Sequence, residues 1–318
     1  MKNKIFDVCG KKKIFYVVSL TVIILSFVFT AIFGMNIAIE FKGGTIISYA
    51  YDGTLNENEI ASAAQSVTGQ QCQATLGESL ADGETTVALS FPSSEGLTAD
   101  MQAELTNALQ EQFASANLEL YSSQDVNPST GLGFFGKCIV AVIFSAVIMI
   151  IYIGFRFRKI GGWVAGCCAV VALLHDMCFV YACCLICRFD VDSNFMAVLL
   201  TILGYSINAT IIIYDRIREN RRLYGQDKTL PELVNMSVTQ SFGRSLHTTA
   251  TTVIAMLTVC IVSVIAGVQS ILSFAFPLVI GLLAGVYSSN CIAPTLWTVW
   301  QGALDKKHAA KKAALAKQ

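Results

Sequence analysis

Charge is what this sequence has least of: only 14% of its 318 residues are Asp, Glu, Lys or Arg, roughly half the share of an ordinary soluble domain. So few polar side chains cannot cover a soluble surface, which argues against a soluble enzyme or a nucleic-acid-binding protein. Histidine is scarce too, with 3 in the chain. None lies between residues 35 and 136, and that stretch holds no Ser/His/Asp set, so no catalytic constellation is expected there. The 11 cysteines are the apparent exception. Nine sit in or beside apolar blocks, where cysteine packs as a small hydrophobe. Only Cys72 lies in a clearly polar region, with Cys9 in the N-terminal segment, so a disulfide framework is not expected. Cys184 and Cys187 have CxxC spacing, but no second pair or histidine follows to complete a metal site. Nothing repeats at a fixed period. The only biased segment is the Ala/Lys-rich end, 308–318, read as a mobile cytoplasmic tail or a contact for anionic lipid or a ribosomal surface.

Long apolar runs are what the chain has in abundance, with 54% hydrophobic residues. The blocks fall at about 14–34, 138–155, 161–187, 193–214, 248–268 and 271–300, each near the ~20 residues that cross a bilayer as helix. The first follows Lys11, Lys12 and Lys13, but it is longer than a signal peptide's apolar region and lacks an Ala-x-Ala site, so a retained anchor is expected. Basic residues set the orientation. With the N-terminus inside, the inner segments hold five Lys/Arg before residue 14, three at 156–159, six at 216–244 and five after 305, nineteen of the 22. Only Lys42, Lys137 and Arg188 remain outside, so both termini are expected in the cytoplasm.

The chain then divides into a cytoplasmic tail (1–13), a first membrane helix (14–34), an extracytoplasmic domain (35–136), a five-helix bundle (137–302) and a second tail (303–318). The extracytoplasmic stretch is acidic, with thirteen Asp/Glu from Glu40 to Asp125 against the single Lys42. That is the face of a solvated domain, or a surface that selects translocating segments. Strand patterns at 44–51, 72–76, 85–91 and 117–122 alternate with helical ones at 56–67 and 97–114, where Met101, Leu105, Leu109 and Phe113 share a face. The order βαββαβ matches the ferredoxin-like plan.

An ionisable group near a membrane-helix centre costs about 2.5–3.5 kcal/mol on insertion scales, so each one requires a reason. His175 and Asp176 fall mid-way along the third span. Helical neighbours point about 100° apart, so the pair is expected to serve two contacts, either hydrogen bonds across the bundle or part of a proton or water path. The fourth span carries Asn194, Thr201, Gly204, Tyr205, Ser206, Asn208 and Thr210, a run too polar for lipid that must bond other helices or line a cavity. Arg244 and His247 share a face at the start of the fifth span, where Arg244 can snorkel to the headgroups. Asp215 reaches Arg218 at helical spacing, beside Arg216 and Glu219, as a charged helix end or a docking point for another subunit. The pairs Gly162/Gly166 and Gly281/Gly285 have the GxxxG spacing of close helix approach.

Taken in order, these segments resemble a known family. The stretch 34–45 (GMNIAIEFKGGT), with Glu40, Phe41, Gly43 and Gly44, resembles the segment after the first helix in the SecF branch of the SecD/SecF protein-export membrane proteins, of the resistance-nodulation-division superfamily. The stretches 191–195, with Asp192, 200–210 (LTILGYSINAT) and 214–220 (YDRIREN) resemble that family's fourth-helix signature, and 174–176 and 244–252 fit as well. The resemblance implies six transmembrane helices in a 1+5 layout around a ferredoxin-like α+β domain, in the bacterial plasma membrane. It implies an accessory subunit that promotes preprotein export with SecD at the SecYEG channel, alongside YajC and YidC. SecA is then the separate ATP-driven motor, and the proton-motive force is the energy source for this pair. No cofactor is implied, no nucleic acid, and contact with translocating preprotein and membrane lipid is. Two departures stand out. Glu40 replaces the family's usual Asp, and Ala209 stands where the family commonly has an Asp between Asn208 and Thr210. Ala209 cannot titrate, so any proton path rests on His175 and Asp176, on the SecD partner, or on both. Arg244 matches an arginine tied in the family to proton-dependent function, and a fixed guanidinium can hold a partner's carboxylate ionised. Two other readings remain: a half-transporter that exports a small molecule or lipid, and a structural stabiliser without coupled transport.

Overall fold

The computed structural model describes residues 5–78, 85–92, 96–126, 128–266 and 268–315. Residues 1–4 and 316–318 of the two expected tails, and Gly267 in the fifth apolar block, lie outside the described residues. The chain starts with α1 (Lys12–Phe33), an apolar helix that stops at Gly34, whose φ of 71° suits glycine alone. A short helix, α2 (Ile39–Lys42), leads through Gly43 and Gly44, with φ of 84° and 142°, into the first strand. This is the physical reason for two successive glycines: any side chain would be strained at both positions.

A small α+β unit follows: β1 (Gly44–Ala50), α3 (Glu57–Thr68), β2 (Gln73–Glu78), β3 (Thr85–Pro92), α4 (Ala99–Gln112) and β4 (Glu119–Val126). The four strands run antiparallel in the order β2-β3-β1-β4, with Ile47 opposite Leu89 on one side and Ser123 on the other. Asn56 caps α3 by accepting the amide of Asn58 at 3.0 Å, and Thr98 caps α4 by accepting that of Met101. The two helices cover the face of the sheet that presents Ile47, Tyr49, Leu89 and Phe91. Ile60 of α3 and Leu105 and Leu109 of α4 are wholly buried against them. The expected pattern therefore holds in order, with β4 running further than the 117–122 alternation suggested, to Val126. Burial also pushes the Cys72 thiol up to about 12.

The rest is helical: α5 (Pro128–Arg156), α6 (Gly162–Cys187), α7 (Ser193–Tyr224), α8 (Leu230–Ile265), α9 (Gln269–Tyr287) and α10 (Ala293–Leu315). Among the described residues, six helical segments are long and apolar enough to cross a membrane: α1, α5 from Gly133, α6, α7, α8, and α9 joined to α10. The last joint is a π-helical turn, Ser288–Ile292, so the block expected as one span at 271–300 is two helices with a local break. The C-terminal segment is helical to Leu315 rather than an irregular tail. Helix α8 starts eighteen residues before its apolar block, at a capping box in which Thr229 and Glu232 bond reciprocally, with the Thr229 amide donating at 2.8 Å.

Glycine spacing locates the tightest joints. A Cβ at Gly162 would lie 2.3 Å from the Gly154 carbonyl oxygen, and one at Gly166 would lie 3.0 Å from that of Ile150, so α5 and α6 touch backbone to backbone. A Cβ at Gly281 would meet Ile202 and Val180, which locks α9 against α7 and α6. All 11 cysteines are free thiols.

Candidate functional site

Two of the sequence's signature segments meet at the end of the bundle that carries the α+β unit. Val191 donates its amide to the Asn36 carbonyl at 2.8 Å and accepts that of Ala38 at 3.1 Å, tying the link after α1 to the start of α7. Glu40 accepts the Ser193 amide at 3.1 Å, and Asp192 caps the same helix by accepting that of Phe195 at 2.8 Å. A Glu at position 40 thus still supplies the acceptor an Asp would. Burial pushes the Asp192 carboxyl up, with the Phe195 amide opposing and Glu40 adding to the rise. Phe41 is wholly buried, packed on Phe134 and Phe135 of α5. These contacts fasten the α+β unit to α5 and α7.

The centre of the bundle holds a buried polar cluster. Asp176 is fully inaccessible. Its Oδ2 accepts from Ser206 at 2.6 Å and from Ser288 at 2.8 Å, and its Oδ1 lies 3.0 Å from His175 Nδ1. Asp176 makes hydrogen bonds across the bundle of the kind expected, and the two neighbours also meet each other, because a 100° offset at the backbone leaves two flexible side chains able to close on one another. His175 is sandwiched by Phe179 and Tyr287, with ring centroids 4.4 and 5.7 Å away, and its buried Nε2 has no partner among the described residues. A second layer follows toward the end of the bundle away from the α+β unit: Thr210 and Ser289 hydroxyls lie 2.9 Å apart, and Ser289 also donates to the Ser206 carbonyl. Asn290 donates to the Val286 carbonyl at 2.7 Å, while its buried Oδ1 stays unpartnered.

The π-helical turn makes this cluster. An extra residue in one turn rotates Ser288, Ser289 and Asn290 inward and aims two of their hydroxyls at α6 and α7. Those residues were missed from sequence because they interrupt an otherwise apolar run only briefly. Their one signal was three consecutive small polar residues in a membrane helix. Burial opposes the ionised carboxylate of Asp176 while its three donors favour it. Among the described residues it is the only carboxylate at the middle of a span.

The other expected coupling residues lie elsewhere. Asn208 and Arg244 are exposed, and neither side chain has a hydrogen-bond or ion-pair partner among the described residues. Tyr205 donates to Thr249 at 3.1 Å and Arg216 to Gln240 at 2.7 Å, so α7 and α8 run side by side and both residues fall between these two links. Gly204 belongs to the same open face, with nothing within 4 Å of where its Cβ would be. Ala209 is buried, at 8% exposure, and puts no titratable group beside either locus. Toward the C-terminal end of α7, Asp215 binds Arg218 at 2.6 Å and Arg156 at 3.3 Å, and Arg216 binds Glu219 at 2.6 Å. The repulsive Asp215–Glu219 spacing is thereby neutralised. The residues suggested as one path therefore fall into two loci, Asp176 with His175 and Thr210 in the buried cluster and Asn208 with Arg244 on the open face.

A family model described as protein export membrane protein SecD/SecF, C-terminal, matches residues 105–303. The chain belongs to the SecD/SecF family of protein-export membrane proteins. The protein translocase subunit SecF of Alicyclobacillus acidocaldarius is 32% identical over 316 residues, covering 95% of each chain. That of Rickettsia bellii is 30% identical, covering 94% of this chain and 95% of its own. The protein translocase subunit SecDF of Bacillus subtilis is 30% identical over 96% of this chain but only 40% of its own length. In fold, the chain is similar to the SecDF crystal structure from Thermus thermophilus, with a TM-score of 0.76 and 23% identity over 94% of this chain and 39% of that one. A second SecDF structure, in the super-membrane-facing form, has a TM-score of 0.69 at 24% identity. The chain thus spans about two fifths of the SecDF proteins it matches. With family and six apolar helices together, it is a multi-pass membrane protein.

Proposed function

We propose that this chain is an accessory subunit of a bacterial Sec preprotein translocase. It promotes export across the plasma membrane together with a SecD partner at the SecYEG channel, alongside YajC and YidC and downstream of the SecA motor. The observation that carries this reading is the end-to-end match to proteins named translocase subunit SecF, over 95% of both chains. The SecDF proteins that are more than twice as long favour a partner that supplies the remaining half. Both termini are cytoplasmic in this reading, on the charge distribution given above. The 35–136 unit is then an extracytoplasmic domain of ferredoxin-like plan, set between helix 14–34 and the bundle 137–302. The alternating helices and antiparallel strand order β2-β3-β1-β4 support that plan.

Coupling to the proton-motive force, in this proposal, passes through Asp176. A carboxylate buried among Ser206, Ser288 and His175 changes its bonding when it takes up a proton: one acceptor site becomes a donor, and one of the hydroxyls must turn. Ser288 sits on the π-helical turn between α9 and α10, so in this reading a proton at Asp176 acts mechanically by changing the hydrogen bonding of that turn. Arg244 and Asn208 are assigned to the contact with SecD, where the guanidinium faces a partner carboxylate. The unoccupied proton-carrier position at Ala209 favours one rival, a stabiliser without coupling. Pulse-chase of a secreted preprotein in cells depleted of this chain decides between them. Precursor accumulation that an ionophore reproduces supports coupled export. Slow export on depletion that an ionophore fails to reproduce in undepleted cells points to the stabiliser, and unchanged secretion with intracellular build-up of a small molecule or lipid points to an exporter.

A further inference from the structure

At the inner end of the bundle, a cleft of about 740 Å³ opens between the end of α5, the turn before α6 and the last turns of α7. Its lining carries Arg156, Arg158, Lys159, Arg218, Arg221 and Arg222 against two acids, Asp215 and Glu219. Half of the cations are already fixed. Arg156 and Arg218 share one oxygen of Asp215, and both guanidiniums lie over the wholly buried ring of Phe157, at 5.4 and 5.8 Å. Arg221 leans on Asp305 at 3.7 Å. A guanidinium has five N–H donors, so these contacts orient the forks without exhausting them. Arg158, Lys159 and Arg222 are exposed and have no ion-pair partner among the described residues. The 3₁₀ turn Arg158–Ile160, closed by Gly161 at φ 85°, holds the first two at the rim.

The rim on the lipid side is apolar. Phe155 and Trp163 are 60% and 56% exposed, with rings 6.0 Å apart, where two membrane helices end. Exposed Trp beside Phe at a span's end is the composition of the headgroup–acyl boundary. A cationic floor with an aromatic lip at that depth matches one amphiphile. We propose that this cleft binds an anionic phospholipid, its phosphate on Arg158, Lys159 and Arg222 and its upper acyl chain on Phe155 and Trp163. A free phosphate would leave the lip unused, and the proposal commits to the lipid. It rests only on the chain spanning a bilayer, not on the export reading.

The test uses the full-length chain, delipidated in detergent and placed in phosphatidylcholine nanodiscs with increasing phosphatidylglycerol. Bound lipid is read by native mass spectrometry after release. Retention of phosphatidylglycerol over phosphatidylcholine is expected. R158Q/K159Q/R222Q should weaken it by roughly a hundredfold, the weight of three interfacial cations. R222Q alone should weaken it about fivefold, so a folding defect in the triple variant would not hide the answer. The control K306Q/K307Q/K311Q removes the same charge from α10 and should change retention less than threefold. Equal loss in the control, no headgroup preference, or displacement by free glycerol phosphate at matching concentration would each overturn the proposal.

Discussion

Helix α7 carries polar residues on two faces, and the faces differ in kind. Ser206 and Thr210 point inward and are bonded wholly within the chain, to Asp176 and Ser289. Asn208, between them in sequence, points outward with Gly204, and Arg244 of α8 joins that open face without a partner among the described residues. Buried polar groups in a membrane are tolerated when satisfied. The inner face meets that condition alone, and the outer one meets it only when something else supplies the acceptors. The inner locus can therefore be studied in the isolated chain, and the outer one only in a complex.

The sharpest break of this contrast is Asp176→Asn. The amide keeps the shape and two of the hydrogen-bonding positions but cannot titrate. Preprotein export measured by pulse-chase is expected to fall to the level of ionophore-treated wild type, while the thermal midpoint in detergent moves by no more than about 1 kcal/mol equivalent. Full export in this variant would remove the inner locus from coupling. Next in size is Arg244→Ala. Stability of the isolated chain should stay within about 0.5 kcal/mol, as for surface positions generally, while export stimulation is lost if the guanidinium works on a partner. Stability loss without export loss would reverse the assignment and make Arg244 a structural anchor.

Much of this division was unreadable beforehand. The six apolar spans were legible because hydropathy over ~20 residues is a property of sequence alone, whereas helix ends were not: α7 runs on to Tyr224 and α8 begins at Leu230, in polar sequence outside the apolar blocks. The α+β order was legible because alternation and capping residues such as Asn56 and Thr98 act locally. Which face of a membrane helix turns inward is not local. Ser206 and Asn208 are both small, polar and uncharged and lie two residues apart, and only the packing of α9 beside Gly281 and Gly285 decides between them. The π-helical turn at Ser288–Ile292 was hidden for a related reason. A window average over 271–300 dilutes three polar residues, and the π register depends on their bonds to α6 and α7.

Glycines give a smaller and cleaner comparison of the same faces. Gly281→Ala must displace the side chains of Ile202 and Val180, so a loss of about 1–3 kcal/mol is expected, as for other overpacked cores. Gly204→Ala meets nothing and should stabilise the isolated chain by about 0.5–1 kcal/mol through helix propensity. Thermal unfolding in detergent reads both. If Gly204→Ala also weakens co-purification with the partner subunit, the open face is a close-packed contact, and if it does not, the partner sits on Arg244 and Asn208 alone.

The smallest effect concerns a carboxylate that is bonded but not buried. Asp7 accepts the Gly10 amide at 2.8 Å and the Asn235 side-chain amide at 2.8 Å, which holds its carboxyl below the usual range, mainly through the Gly10 amide. A group depressed in the folded state contributes stability above its unfolded pKa, about 3.9, and that contribution fades as pH falls through the lower folded value. The N-terminal segment should therefore loosen from α8 only in acid, and slightly, since Asp7 is open to solvent and screened. Hydrogen exchange at the Cys9 and Gly10 amides, followed from pH 5 downward in wild type and Asp7→Asn, isolates this: protection should decline with acid only in wild type. Parallel declines would mean that the segment is seated by the burial of Val8 and Cys9, with the carboxylate a bystander. The contrast with Asp176 would then be complete, since two carboxylates with similar bond counts would differ in consequence solely because one is beyond the reach of water.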